Sequence, residues 1–212
     1  MTQQVLRTSL LLNGLLAVMI LALRLLPNDD NSIKKLLLPP TDCPAPCFMN
    51  VQAGTTDRQE AAKLIDIHSW VKPPLFFARS IDDINTRYVF WQWSGEQPVG
   101  VDARRQGQLR FYKDHAVGLV VHTTIPLGAV WLALGGTDKG TLSLSEVQSN
   151  ISMLLVLVYP EQGLLVRAIV PKRLSQAALW TSVTEIESSN PQAIAYFGAY
   201  RLPIRVDLKG VK

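Results

Sequence analysis

Residues 8–23 read TSLLLNGLLAVMILAL, sixteen positions without a charge, and Leu25, Leu26 and Pro27 carry the stretch past Arg24. About 20 apolar residues in helical form cross the hydrocarbon core of a bilayer, so residues 8–27 are expected to form a single-pass transmembrane helix. Arg24 sits one turn from the end, where a long side chain reaches the headgroups, and Pro27 stops the helix. The competing reading is a cleaved signal peptide. The run is longer than the usual apolar core of about 7–15 residues, and no small-x-small cleavage site precedes Pro27. Residues 1–27 are therefore read as a cytoplasmic tip with a membrane anchor, and residues 28–42, polar apart from Leu36-Leu37-Leu38 and closed by two prolines, as a juxtamembrane linker. A minimal N-terminal tail before an apolar segment and a large C-terminal part puts that part outside the cytoplasm, on the surface of the cell membrane.

The chain beyond the anchor must build its own core. The 212 residues are 48% hydrophobic and 18% charged, enough for one modest domain or two small ones. Lys and Arg exceed Asp and Glu by 21 to 17, an excess of +4 that is too small and too dispersed to indicate a nucleic-acid binder, and none is expected as a partner.

Two helices are expected. The first comes after Gly54-Thr55, with Thr56 as N-cap and Gln59 completing a capping box, and places Ala61, Leu64, Ile65 and His68 on one face. The second comes after Thr124 and Pro126, places Leu127, Val130, Trp131 and Leu134 on one face, and stops at Gly135-Gly136. The two faces superpose at an offset of 66 residues, and the same offset carries strand Thr86–Trp93 onto residues 152–159. Further strands are expected at residues 108–112, 116–122, 164–170 and 178–187, then a short helix from Asn190-Pro191 to Gly198 and a last strand at 203–208. The expected fold class is α+β: an N-terminal transmembrane helix, then two tandem helix-plus-antiparallel-sheet units at 43–122 and 123–212, the second with a C-terminal extension. An ordinary α+β domain without duplication is the alternative.

Cys43 and Cys47 flank Pro44-Ala45-Pro46, four positions apart. In an oxidising compartment they can close a small structural disulfide; free thiols and a redox or metal role are the alternatives. Catalytic patterns are missing: no nucleophile elbow, no phosphate-binding loop, no dinucleotide fingerprint, and no metal-ligand spacing around His68, His115 or His122. His68, on an apolar helix face, reads as a packed and hydrogen-bonded histidine. Asp82-Asp83 and Glu185-x-Glu187 read as solvated charge. No catalytic, cofactor or metal residue is expected.

The candidate partner surface is the aromatic strand, where Val89, Trp91 and Trp93 alternate with Tyr88, Phe90 and Gln92. Large rigid rings bury area at little entropic expense, so Tyr88, Trp91 and Trp93 are the residues expected to meet a partner unless the strand is covered on both sides. Arg104, Arg105, Arg110 and Lys113 form a basic group nearby in sequence, read as a solvated loop.

The run Val51-Gln-Ala-Gly54-Thr55-Thr56, a capped helix and antiparallel strands resembles the small BamE (SmpA/OmlA) lipoprotein family, and a similar unit occurs in tandem in the β-lactamase-inhibitor-protein fold. The second copy, from Thr124 to Gly135, has the helix and glycine stop without the Gly-x-Thr start. Cys43-Pro-Ala-Pro-Cys47 behind an anchor also resembles uncharacterised bacterial membrane-anchored proteins. The resemblance implies an extracytoplasmic interaction module and no chemistry; the transmembrane anchor departs from the lipoproteins. The function expected is therefore a membrane-anchored, non-catalytic module that binds another envelope protein. The alternatives are an envelope thiol-redox or other enzyme centred on Cys43 and Cys47, and a small-ligand sensor.

Overall fold

The computed structural model describes residues 12–19, 30–40, 42–81, 83–137, 139–147, 150–170, 180–181 and 183–198. The chain divides into two compact units, Met1–Asn31 and Ser32–Lys212. In the first, residues 12–19 are helical (α1), with Leu12, Leu15, Leu16, Val18 and Met19 exposed. Among the described residues no helix is long and apolar enough to cross a membrane; residues 8–11 and 20–27 of the expected span lie outside them.

The second unit is mixed helix and sheet. After α2 (Asp30–Leu37) come a two-stranded ribbon, β1 (Cys47–Phe48) and β2 (Val51–Gln52), and helix α3 (Arg58–Asp66). Four strands come next: β3 (Val71–Arg79), β4 (Thr86–Trp93), β5 (Gly107–Tyr112) and β6 (His115–His122). Helix α4 (Leu127–Leu134) precedes four more, β7 (Gly140–Val147), β8 (Asn150–Tyr159), β9 (Leu164–Val170) and β10 (Val183–Ser189), and α5 (Pro191–Gly198) ends the described chain. The large sheet is antiparallel throughout, with order β3-β4-β5-β6-β10-β9-β8-β7. Each of α3 and α4 thus leads into a four-strand meander. The meanders meet through their last strands, β6 and β10, paired from Gly118↔Ser189 to His122↔Glu185.

One face of this sheet carries the main core. Trp91, Leu109, Phe111, Leu157, Val166 and Ile186 project from it and are covered by Leu36 and Leu37 of α2, Phe48 and Val51 of the ribbon, Ala61 and Ile65 of α3, and Leu127 and Val130 of α4. Residues 28–42 were expected to be a linker. Instead Ile33, Leu36 and Leu37 share a helical face, and Leu36 and Leu37 are 0% and 1% exposed in the core. Pro39-Pro40 then ends α2, so the folded unit begins before Cys43.

The N-cap of α3 is Asp57 rather than Thr56. Asp57 Oδ1 accepts from the backbone N–H of Gln59 at 2.8 Å and of Glu60 at 2.9 Å. The Thr56 hydroxyl is buried and engaged elsewhere, accepting from the Gln52 N–H at 2.9 Å to close the turn after β2. Helix α4 stops where expected, at Gly135, which takes φ of +82°.

Strand β3 was not expected, and it contains Pro73-Pro74, a pair that argues against a strand interior. It is tolerated because β3 is the edge of the sheet, and its pairing with β4 shifts between Lys72 and Phe76, around the prolines. Strand β7 was also not expected. Strand β10 runs to Ser189 rather than Glu187. Of the strand expected at 178–187, residues 180–181 are not in a strand and residues 178, 179 and 182 lie outside the described residues, as does the final strand expected at 203–208. Helix α5 forms as read, with Asn190 Oδ1 accepting from the Ala193 N–H at 2.9 Å.

Candidate functional site

Among the described residues, the second face of the sheet is covered at one end only. There, Val156 and Val158 of β8 and Leu165 of β9 pack against Ile194 of α5. Toward β3 the face carries Phe76, Tyr88 and Phe90, and between these two regions lies a chain of charged side chains.

Glu187 is its centre. Alternation along β10 turns Ile186 to the main core and Glu185 and Glu187 to the second face. The Glu187 carboxylate is only 2% exposed, and it is bracketed by two guanidinium groups: Arg110 Nη2 donates to Oε1 at 2.9 Å, and Arg167 Nη1 lies 2.7 Å from Oε2. The Ser189 hydroxyl adds a donor to Oε1 at 3.2 Å. Arg167 also donates to Glu185 Oε1 at 2.6 Å, Glu185 Oε2 lies 3.9 Å from His122 Nδ1, and Arg105 Nη1 is 3.3 Å from the same ring nitrogen. Burial by itself would lower the Arg167 pKa, yet the attraction of Glu187 and Glu185 outweighs it and holds the group above its ordinary value.

The pairing depends on a glycine. Arg110 stands on β5 and Glu187 on β10, with β6 between them, and the residue under their contact is Gly118. A Cβ there would run into Glu187 Oε1 and crowd Arg110 Nη2, so any larger residue would require the bridge to shift. Register sets the rest: Tyr88 is the Cα partner of Arg110, Phe90 of Gln108 and Phe76 of Phe90, which lays an aromatic patch beside the ion pairs. The Tyr88 and Phe90 rings stack at 5.9 Å and 27°. Both are half-buried and Phe76 is 46% exposed.

This arrangement corrects two expectations. Trp91 and Trp93, expected with Tyr88 at a partner surface, lie on the opposite face in the core at 0% and 7% exposure, and Trp93 Nε1 donates to the Arg105 carbonyl at 2.8 Å. Only Tyr88 of the three is on the open face. Glu185-x-Glu187, read as solvated charge, is a paired and largely buried cluster. A signal for it was present: Arg167 stands alone in the apolar run LLVRAIV, and a charge in the middle of such a strand requires a counter-charge on its neighbour.

The other singled-out residues hold structural positions. Cys43 and Cys47 are disulfide-bonded, with Cα atoms 5.9 Å apart, and Cys47 is 3% exposed as the first residue of β1. His68 Nδ1 accepts from the Trp70 N–H at 3.2 Å, its ring meets the Trp70 ring edge-on at 4.8 Å, and burial lowers its pKa. Asp83 caps a turn, accepting from the Asn85 N–H and the Thr86 hydroxyl, while Asp82 lies outside the described residues. The basic group divides: Arg104 pairs with Asp102, Arg105 with His122 and Arg110 with Glu187, while Lys113 sits past the far end of β5 over the Tyr112 ring.

Among the described residues no cluster of His, Cys, Asp and Glu is arranged to hold a metal ion. In comparisons with known proteins, no family model, no curated protein and no solved structure matches the chain.

Proposed function

We propose that this chain is a non-catalytic binding module that engages a protein partner through the open face of its sheet, held at a membrane by residues 8–27 with its folded part on the extracytoplasmic side. The observation that carries the reading is the juxtaposition of the stacked Tyr88–Phe90 pair with Arg110, whose guanidinium is tied to buried Glu187 while its side chain stays 39% exposed. Aromatic rings and arginine are the residues enriched in protein interfaces. Here both are fixed in place by strands and ion pairs, so little side-chain entropy remains to be lost on association.

The same proposal takes the two helix-plus-meander blocks as tandem copies of one unit of the BamE-like kind. Their matching order, helix then four antiparallel strands, and their meeting through equivalent last strands support it. The buried position of Cys47 supports a structural disulfide formed in an oxidising compartment.

The test is site-specific photocrosslinking of the full-length chain in its native membrane, with the photoreactive residue at Tyr88 or, as a control, at exposed Glu161 in the β8–β9 turn. One adduct of defined mass formed from position 88, absent from 161 and lost when Phe90→Ala and Arg110→Ala are added, is the expected outcome. Equal labelling from both positions, or none from 88, would overturn the reading.

A further inference from the structure

The end of the β3–β4 hairpin has a surface that the binding face does not use. Phe77 is 65% exposed, Ile84 83% and Ile81 fully exposed, three large apolar side chains within eight residues at one end of the sheet. Isolated exposed apolar residues are ordinary; a group of them at one hairpin end marks an interaction site.

Basic groups surround this tip. Arg79 and Arg87 are Cα partners across β3 and β4, so two like charges stand directly opposite each other, an arrangement that destabilises a strand pair in water. With Arg58 at the start of α3 they line a recess of about 260 Å³, whose lining also includes Phe77 and Phe111. Lys113, in the β5–β6 turn, is joined to the hairpin loop by its N–H donating to the Asn85 carbonyl at 3.1 Å.

The described carboxylates nearby are occupied. Asp114 pairs with Arg58 at 3.1 Å, and Asp83 accepts from the Asn85 N–H and the Thr86 hydroxyl in its own loop and attracts Lys113. Among the described residues neither Arg79 nor Arg87 pairs with a carboxylate; the loop also contains Asp82, which lies outside them.

From this geometry we infer that the β3–β4 hairpin docks on an anionic lipid surface, with Phe77, Ile81 and Ile84 entering the boundary between headgroups and acyl chains and Arg79, Arg87 and Lys113 meeting lipid phosphates. Apolar side chains flanked by arginine and lysine are what a headgroup boundary accepts, and charge complementarity selects an anionic one. A phosphate between Arg79 and Arg87 relieves the repulsion built into their register. The inference rests on the membrane attachment proposed above only for bringing the domain near a bilayer: four residues, 28–31, separate the apolar segment from Ser32.

The native cysteines are both in a disulfide, so a cysteine introduced as Ile84→Cys can be labelled selectively with an environment-sensitive fluorophore in the full-length chain. The labelled chain is reconstituted in neutral phosphatidylcholine vesicles and in vesicles with about 30% phosphatidylglycerol, beside a control labelled through Glu161→Cys. The expected result is a blue-shifted, brighter emission at position 84 on the anionic vesicles alone, quenched by spin-labelled acyl chains, with no change at 161. Adding Arg79→Gln and Arg87→Gln should lower the ratio of docked to undocked hairpin by about 30-fold, at roughly one lipid attraction lost per arginine. Inorganic phosphate added to neutral vesicles should not reproduce the shift.

Emission that is the same on both vesicle types, or a shift that survives the double glutamine substitution in a chain with unchanged near-ultraviolet circular dichroism, would overturn the inference. A shift produced by free phosphate would overturn it in favour of a soluble anion site. Flotation of the chain with neutral vesicles reads the anchor separately, so failure of the anchor and failure of the hairpin give different results.

Discussion

Glu187 and Arg167 stand on adjacent central strands with Oε2 2.7 Å from Nη1, and the carboxylate is 2% exposed while the guanidinium keeps 19%. A pair this deep adds little net stability as a pair, because desolvation offsets the attraction, but losing one member leaves the other charged and unpaired. Glu187→Ala, which leaves half-exposed Arg110 without its carboxylate and Arg167 with Glu185 alone, should lower the unfolding free energy by about 1–3 kcal/mol in chemical denaturation. Replacing Glu185, Glu187 and both arginines together with methionine should recover most of that loss.

Gly163 closes the β8–β9 turn at φ of +65°, and a Cβ there would meet the Pro46 ring and its Cα atom. Gly163→Ala therefore combines a left-handed backbone with a clash against the Cys43–Cys47 loop. The expected loss is about 1–3 kcal/mol, larger than that of Gly95→Ala, where φ is +104° but open space surrounds the new methyl group.

Removing the disulfide should have a modest effect. Its loop is short, with a sequence separation of 4, so Cys43→Ser with Cys47→Ser should cost about 2 kcal/mol by the chain-entropy argument. The substituted chain should still crosslink from Tyr88. Loss of crosslinking with an intact fold would place the cysteines in the function itself.

His68 and Tyr159 set opposite pH limits. Burial lowers the His68 pKa below its ordinary 6.5, so the unfolded chain takes up the proton first and stability falls as pH drops below about 6.5 through the folded value. Burial raises Tyr159 from 10 to about 12, with its hydroxyl donating to the Gly135 carbonyl at 3.2 Å, so that contribution is complete below pH 10 and is lost as pH rises through about 12. His68→Gln should flatten the acid limb of a stability-against-pH curve, and Tyr159→Phe the alkaline limb.

Helix α2 offers a test of where the domain begins. Leu36 is fully buried against the sheet, and Leu36→Ala should cost about 2–5 kcal/mol in thermal or denaturant unfolding, a loss that no flexible linker would show.

Where periodicity and punctuation agree, the sequence was readable. Strand Thr86–Trp93, strand Leu164–Val170, the Gly135 stop of α4 and the Asn190 cap of α5 all arise from local chemistry alone. Contexts that only the assembled sheet supplies were not readable. Pro73-Pro74 is compatible with a strand only because β3 is an edge, and Leu36-Leu37 belongs to the core only because α2 folds back on it. The same limit applied to the site. Alternation separated Tyr88 and Phe90 from Trp91 and Trp93 but could not say which side faced water. The pairing of residues 110, 167 and 187 needs three strands brought together from distant parts of the chain.

The join between β6 and β10 has a consequence for synthesis. The strand that closes the middle of the sheet is the last of the eight to be made, so the first meander is complete once His122 emerges but keeps β6 as a bare rim until Ser189 is added, 67 residues later. During that interval Leu119 and Val121, later sealed against Ile186, belong to an unpaired ladder. A nascent chain of this kind is therefore exposed to rim-to-rim association between copies until its final strand arrives, and that strand brings the two glutamates that lock the rim shut.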